Sequence, residues 1–498
     1  MVKKKILYYV PIILLFGYLI FRLVDQSKII YIFPLDHIND ISSYMNMLHF
    51  FAKYGYHTHI LDWYYPPGII TFDVYAPGWI FFAYPFFKIF GDVKITAFVT
   101  LIVMFLLGFI ICYYFCRLNG FSKLKSIIFF FFFFVSPMAV GDYIRQMRLP
   151  QMLGWIFLLI LILIVFYYRN RELDKRFLLV APVFALLIVT HSAETILASL
   201  VILGLLVKRN LKDWIYIGLT SLLGIVLSLP WLYTFIVRSR ELVVDDFIFS
   251  NWLFRFYGGF KWSNILGLIF CLVFLFLFFI YIFKDKKVKW NEFLFFFPVL
   301  LFTLLYLFRL IPYIPLFKHL YPDPVLQFLM FFVLFFYFSI KLSNKWLRIA
   351  WNISLVVIPL LFILISLWHT PFFVVPTMNE SSVLEIFEFI DKPYITMGSF
   401  PPERLFTSAM VSYGSIYYNA ISAGGWAWIM VNSEHLKKLD VLTDSFFNRN
   451  CDGFLKGLDK LDIDQVFSYG KDCDFLLECD FKFIVQRERA CLYEKPIF

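Results

Sequence analysis

Charge is what this sequence has least of. Asp, Glu, Lys and Arg make up 16% of its 498 residues, where about 25% is usual for a soluble globular chain. Together with a mean hydropathy of +0.77, that shortage excludes a water-soluble enzyme and a disordered chain. Cysteine is also scarce: seven residues are too few for a disulfide scaffold of this length. What is abundant is apolar and aromatic. Hydrophobic residues reach 61%, and there are 66 Phe, 30 Tyr and 13 Trp.

The scarce charge is unevenly placed. Residues 377–498 hold 12 Lys+Arg against 18 Asp+Glu, a net of −6, while the remainder holds 33 against 17, a net of +16. The basic excess therefore lies in the apolar region, 6–368. It needs no nucleic-acid partner, because cytoplasmic loops of membrane proteins collect Lys and Arg. Two domains follow: a transmembrane domain over 1–376 and a globular α/β domain over 377–498.

A membrane-crossing helix needs about 20 predominantly apolar residues. Eleven segments qualify: 6–24, 95–116, 127–140, 151–168, 177–190, 193–207, 214–237, 264–283, 292–308, 325–340 and 349–368. The first follows Lys3-Lys4-Lys5 and lacks a small-residue cleavage site, so an anchor is expected rather than a removed signal. Segments 1–5, 117–126, 169–176, 208–213, 284–291 and 341–348 carry 20 Lys+Arg in 45 residues; segments 25–94, 141–150, 238–263 and 309–324 carry 12 in 122. That asymmetry places the N-terminus in the cytoplasm and 377–498 outside. It also favours two helices over one long one at 177–207, since merging them would turn two basic loops outward. The location is then an integral, multi-pass plasma (or equivalent) membrane. Cys451, Cys473, Cys479 and Cys491 all fall in the outward domain, where two disulfides in any of three pairings, or free thiols, fit an oxidising side.

The outward segments hold the chemistry. The first, 25–94, opens with Asp36-His37-Ile38-Asn39-Asp40, then shows helical spacing at Ile41, Tyr44, Leu48 and Phe51, closed by Gly55. Asp36 occupies the N-cap position on this reading, with Asp40 one turn later. As a structural pair they would cap a helix and favour its dipole; as chemistry, a carboxylate near the membrane surface can take a proton from a hydroxyl nucleophile. Asp36, His37 and Asp40 could also hold a divalent cation such as Mg or Mn, although nothing else in the chain demands a cofactor. Trp63-Tyr64-Tyr65-Pro66-Pro67-Gly68 makes a rigid aromatic turn, and Tyr75-Ala76-Pro77-Gly78-Trp79 leads into an interfacial helix, 80–90. Later turns supply Arg145, Arg148, His191, Glu194, Arg309, Lys318 and His319, with Asp323 close behind. These read as candidate substrate-binding groups, because Arg grips phosphate in a fork and Lys as a point charge. No charged residue falls near the middle of a span, which disfavours an ion-coupled transporter.

The pattern resembles the GT-C superfamily of polytopic glycosyltransferases. The likeness rests on the cytoplasmic N-terminus, the long acid-opened first loop and the outward C-terminal domain. Its local marks are Asp36-His37-Ile38-Asn39-Asp40, Tyr65-Pro66-Pro67-Gly68, Tyr75-Ala76-Pro77-Gly78, Arg148-Leu149-Pro150-Gln151 and Thr190-His191. The C-terminal domain is similar to a small outward α/β domain of uncharacterised prokaryotic membrane proteins. That match runs through Asp480-Phe481-Lys482-Phe483-Ile484-Val485 and Cys491-Leu492-Tyr493-Glu494-Lys495. The resemblance implies transfer of a sugar from a polyprenyl-phosphate (dolichyl-phosphate type) donor to a glycan, lipid or protein acceptor, with inversion. It implies Asp36 as general base, Asp40 or His37 orienting the acceptor or a cation, and the basic side chains stabilising the departing phosphate. The first-loop acids here are four apart, wider than in many members. The Trp-Trp-Asp-Tyr-Gly motif of the oligosaccharyltransferases is absent, which argues against protein N-glycosylation. A flippase of lipid-linked glycans and a non-enzymatic envelope-assembly protein are the alternatives.

Overall fold

The computed structural model describes residues 2–33, 40–56, 72, 75–207, 209–238, 262–283, 289–314, 322–340, 345–369, 378–398, 407–423 and 433–496. Packing divides the chain into two units. The first comprises Met1–Val24, Leu101–Leu232 and Asp245–Pro371; the second comprises Asp25–Thr100, Tyr233–Val244 and Phe372–Phe498.

The chain runs through α1 (Val2–Gln26), α2 (Ile41–Tyr54) and α3 (Gly78–Phe90), then along α4 (Val93–Leu118) into the bulk of the first unit. There follow α5 (Lys123–Phe130), α6 (Asp142–Gln146), α7 (Leu149–Tyr168), α8 (Val180–Ile188), α9 (Ser192–Leu206) and α10 (Leu211–Arg238). The unit is completed by α11 (Trp262–Phe283), α12 (Trp290–Leu307), α13 (Pro322–Ser339) and α14 (Lys345–His369). Each of the eleven apolar segments contains a helix. Among the described residues, six helices are long and apolar enough to span a membrane, and Gly78–Phe90, Ser192–Leu206, Gly267–Phe283 and Asp323–Ser339 are shorter apolar stretches. Residues 127–140 depart most from the expected span. The α-helix ends at Phe130, a π turn covers Phe131–Val135, and Ser136 is extended at ψ 141°. Pro137 explains the stop, since the residue before a proline is pushed out of the helical region. Helices α8 and α9 are separate, broken at 189–191 where His191 is extended.

Lipid offers no hydrophobic drive for helix association, so packing must supply it. Two devices do so here. Phe331 meets Phe115, Phe133 and Phe129 at centroid distances of 5.0, 5.3 and 5.6 Å. Such pairs contribute about 0.5–1.5 kcal/mol each beyond area burial. Glycines admit the closest approaches: a Cβ on Gly204 of α9 would sit 2.3 Å from the Phe295 carbonyl oxygen of α12.

In the second unit α2 packs on α3 and on α16 (Thr407–Tyr418), which follows α15 (Met378–Glu385). The remaining helices are α17 (Ser433–Phe447), α18 (Cys451–Leu461) and α19 (Asp472–Glu478). The sheet has the order β1 (Tyr394–Thr396), β2 (Gln465–Tyr469), β4 (Ala490–Glu494), β3 (Lys482–Arg487). Strand β1 is parallel to β2, and β4 is antiparallel to both β2 and β3. Alternation along the strands sorts their side chains into two cores. Val466 and Tyr493 join Phe454, Leu458 and Phe475, whereas Phe467 and Leu492 join Phe387, Ile386 and Met410. Disulfides link Cys451 to Cys479 and Cys473 to Cys491, which resolves the pairing that spacing had left open.

Candidate functional site

Within the first unit, a polar cluster gathers around α6, the start of α7, the start of α9 and the start of α13. Its geometry begins at Gly141, whose missing Cβ would lie 2.2 Å from the Val135 carbonyl oxygen. That contact lets the chain after the π turn fold back tightly, with Val140 N–H donating to Phe133 O at 3.1 Å and Asp142 N–H to Ala139 O at 3.0 Å. The single turn of α6 then closes at Met147 in the left-handed conformation, φ 49°, as Arg148 N–H reaches back to Tyr143 O.

Tyr143 is thereby fully buried, and its hydroxyl has no hydrogen-bond partner among the described residues. Burial pushes its pKa well above the ordinary tyrosine value, and Glu194 and then Asp323 raise it further, against Arg148. The hydroxyl therefore stays a neutral donor within electrostatic reach of both acids. Arg148 Nη1 lies 3.8 Å from Asp323 Oδ2, and the arginine remains 29% exposed. Glu194 is fully buried in the first turn of α9, where the helix dipole favours a carboxylate. Its Oε2 rests against Nδ1 of His191, while Oε1 has no hydrogen-bond partner among the described residues. Gly154 of α7 makes this fit: a Cβ there would stand 3.2 Å from both Glu194 Oε2 and His191 Cβ. Gln151 Oε1 and Trp155 Nε1, on the same helix, are likewise buried without a hydrogen-bond partner among the described residues. Arg309 closes α12 in the left-handed conformation at φ 59°, with Leu310 N–H bonded to Leu305 O at 2.8 Å.

Of the residues singled out in the sequence, His191 and Glu194 pair, and Arg148 joins Asp323. Arg145 is placed only by its backbone in α6. Asp36, His37, Lys318, His319 and the turn 63–68 lie outside the described residues. Asp40 requires a correction: it, and not Asp36, directly precedes the first turn of α2, and its side chain makes no capping hydrogen bond. The helical pattern itself begins only at Ile41, so the N-cap falls four residues later than expected.

Asp40 belongs to the second unit, as does an unexpected feature of α2. Ile41, Tyr44 and Leu48 are buried as the spacing requires, but so are Ser42, Ser43 and Asn46 on other faces. Neither amide atom of Asn46, nor Ser43 Oγ, nor His49 Nε2 has a hydrogen-bond partner among the described residues. Burial, with Lys53 adding to it, lowers the pKa of His49 below the usual histidine range. Lys53 hydrogen-bonds Asn419, one residue past α16. The stripe Ser42, Asn46, His49, Lys53 follows i, i+4, i+7, i+11 and so forms one polar helix face. Sequence reading saw only the apolar face. It also passed over Arg22, fully buried near the end of α1 and bonded through Nε to Tyr18 Oη at 3.2 Å and through Nη2 to Ser366 Oγ at 3.2 Å. Its signal was a charge inside the last turns of an apolar run. Among the described residues, no group of three or more His, Cys, Asp or Glu is placed to hold a metal ion.

No protein-family model and no curated protein sequence matches this chain. Solved structures do. ArnT from Cupriavidus metallidurans, bound to undecaprenyl phosphate, superposes over 96% of this chain and 97% of its own, with a TM-score of 0.55 and 12% identity. The fold is GT-C. The archaeal oligosaccharyltransferase AglB from Archaeoglobus fulgidus, in complex with an inhibitory peptide and a dolichol-phosphate, shares this GT-C fold over 91% of the chain and 69% of its own. Its TM-score is 0.52 at 11% identity. The mycobacterial arabinofuranosyltransferase AftD matches 92% of the chain and 41% of its own length, with a TM-score of 0.56 and 12% identity. At these identities the likeness is one of fold.

Proposed function

We propose that this protein is a glycosyltransferase that moves a sugar from a polyprenyl-phosphate-linked donor to an acceptor outside the cytoplasm. The observation that carries the reading is the GT-C fold over nearly the whole chain, shared with an undecaprenyl-phosphate-bound and a dolichol-phosphate-bound protein. The paired cysteines of the C-terminal region support an oxidising, extracytoplasmic side for it, in line with the Lys/Arg asymmetry of the loops.

In the proposed reaction the acceptor oxygen attacks the anomeric carbon from the face opposite the phosphate. Asp36 takes the hydroxyl proton as the C–O bond forms. The bond to the phosphate oxygen breaks, and the electron pair leaves with polyprenyl phosphate, inverting the anomeric centre. Asp40 or His37 orients the acceptor. Arg148, together with Arg145, Arg309 or Lys318, stabilises the departing anion, and the neutral Tyr143 hydroxyl supplies a further donor. Residues 377–498 recognise the acceptor or cap the active site.

The test is Asp36→Asn in purified full-length protein supplied with radiolabelled polyprenyl-phosphate sugars and membrane extract. Loss of a general base reduces transfer by about 10²–10⁴-fold. Transfer at the wild-type rate removes Asp36 from the role.

A further inference from the structure

The end of the first unit where α5 and α14 begin and α13 finishes carries a second feature that glycosyl transfer does not use. A cavity of about 210 Å³ opens there, walled by Tyr8, Lys125, Tyr337, Arg348, Trp351 and Leu355 among others. Its lining includes two cations and no acid. Lys125 is fixed by donating to the Phe338 carbonyl at 3.0 Å. Arg348 is exposed, and among the described residues no ion pair is recorded for it. Both cations ride in the first turn of their helices, where the amide dipole adds positive potential. The lining also has a rigid aromatic part: Tyr337 stacks on Trp351 at 3.8 Å and 8°, and its hydroxyl donates to the Trp351 carbonyl at 2.6 Å. Tyr8 donates to Oδ1 of Asn352, which also lines the cavity, at 3.4 Å.

We infer that this cavity binds a phosphate-bearing anion, held as the headgroup of an anionic phospholipid. A basic recess between transmembrane helices with Trp and Tyr at its rim suits a phosphodiester next to ester and acyl groups. The cations take the phosphate oxygens, and Trp351 and Leu355 meet the glycerol-ester region.

Full-length protein in nanodiscs tests this, with phosphatidylglycerol or phosphatidylcholine as the lipid and inorganic phosphate in detergent as a third arm. Bound lipid is read by native mass spectrometry and stabilisation by thermal unfolding. Phosphatidylglycerol is expected to be retained and to stabilise, while phosphatidylcholine and inorganic phosphate do neither. Arg348→Gln lowers retention about 5-fold, and adding Lys125→Gln lowers it about 30-fold. Arg348→Lys, which keeps the charge at an exposed position, retains most of the binding. Undiminished phosphatidylglycerol retention in the double variant overturns the inference. So does equal stabilisation by inorganic phosphate, which would make the cavity a free-anion site.

Discussion

Replacing Gly141 by Ala is the sharpest perturbation of the polar cluster. The glycine has φ −60°, so alanine is allowed by the backbone and the effect is purely steric. The new Cβ would lie 2.2 Å from Val135 O and 2.5 Å from Ser136 O. A carbon needs about 3.3 Å from such an oxygen, so the segment entering α6 must move by roughly 1 Å. The obstruction is main chain on the far side of a tight turn, not the end of a flexible side chain. Overpacking of this kind costs about 1–3 kcal/mol. The displaced helix carries Tyr143 and sets the start of α7, where Arg148 sits. A misplacement of about 1 Å near reacting groups can reduce turnover about 100-fold. Gly218→Ala is the control, because nothing lies within 4 Å of its would-be Cβ and it is exposed on α10; alanine there adds about 1 kcal/mol of helix preference. Thermal unfolding and sugar transfer are measured on both variants. If Gly141→Ala matches wild type in both, the fold-back of α6 does not depend on that glycine and the reasoning fails.

Three further outcomes follow from local chemistry. Tyr143→Phe deletes a buried hydroxyl that has no hydrogen-bond partner among the described residues, so it should raise stability by about 1 kcal/mol while lowering transfer; a loss of stability would mean the hydroxyl is bonded in the folded protein. Opening the Cys451–Cys479 or Cys473–Cys491 bridge, which span 28 and 18 residues, should each cost about 3–4 kcal/mol by loop entropy, read from denaturant midpoints with and without reductant. His435 is buried, with Nε2 3.3 Å from the Ala423 carbonyl, and burial lowers its pKa, with that bond opposing and Lys438 reinforcing. The unfolded chain then binds a proton the folded one refuses. Stability is full above about pH 6.5 and falls as pH drops from there towards the depressed folded value, by at most about 1.4 kcal/mol per pH unit; His435→Gln should flatten that slope, and an unchanged slope would remove His435 as its source.

The helices were legible because hydropathy in a membrane protein is a direct record of the solvent each segment meets. All eleven segments and the apolar face of α2 came from that record, while the break at 189–191 came from the Lys/Arg asymmetry of the loops. It failed where backbone detail decided the outcome. Pro137 shortened one span, and the N-cap moved from Asp36 to Asp40, because an acid every fourth residue fits a helix start in two registers. His191 and Glu194 were read as candidate binding groups at one turn but not as a pair, and the approach of Tyr143 to Glu194 and Asp323 depends on a turn whose geometry is set by the absence of a Cβ at Gly141. No periodicity encodes that. The buried polar stripe of α2 was hidden for a different reason: Ser, Asn and His opposite an apolar face look like a solvated surface until another helix covers them.

The confinement of charge to helix ends has one physical cause. Inside the first unit, helices associate largely through interlocked phenyl rings and glycine-mediated backbone contact, and an ion enters such packing only with a partner, as Arg169 does beside Glu292. Ionisable groups are left to helix termini, where dipoles, turns and exposed edges can satisfy them. Among the described residues of the unit, two of these polar groupings differ in composition. One gathers Tyr143, Arg148, His191, Glu194 and Asp323, mixing acids with cations and a neutral donor, as bond-making requires. The other sets Lys125 and Arg348 against aromatic walls with no acid in the lining, which suits holding an anion without transforming it. The difference in composition between the two ends is what separates a candidate reaction centre from a candidate binding recess on the same helices.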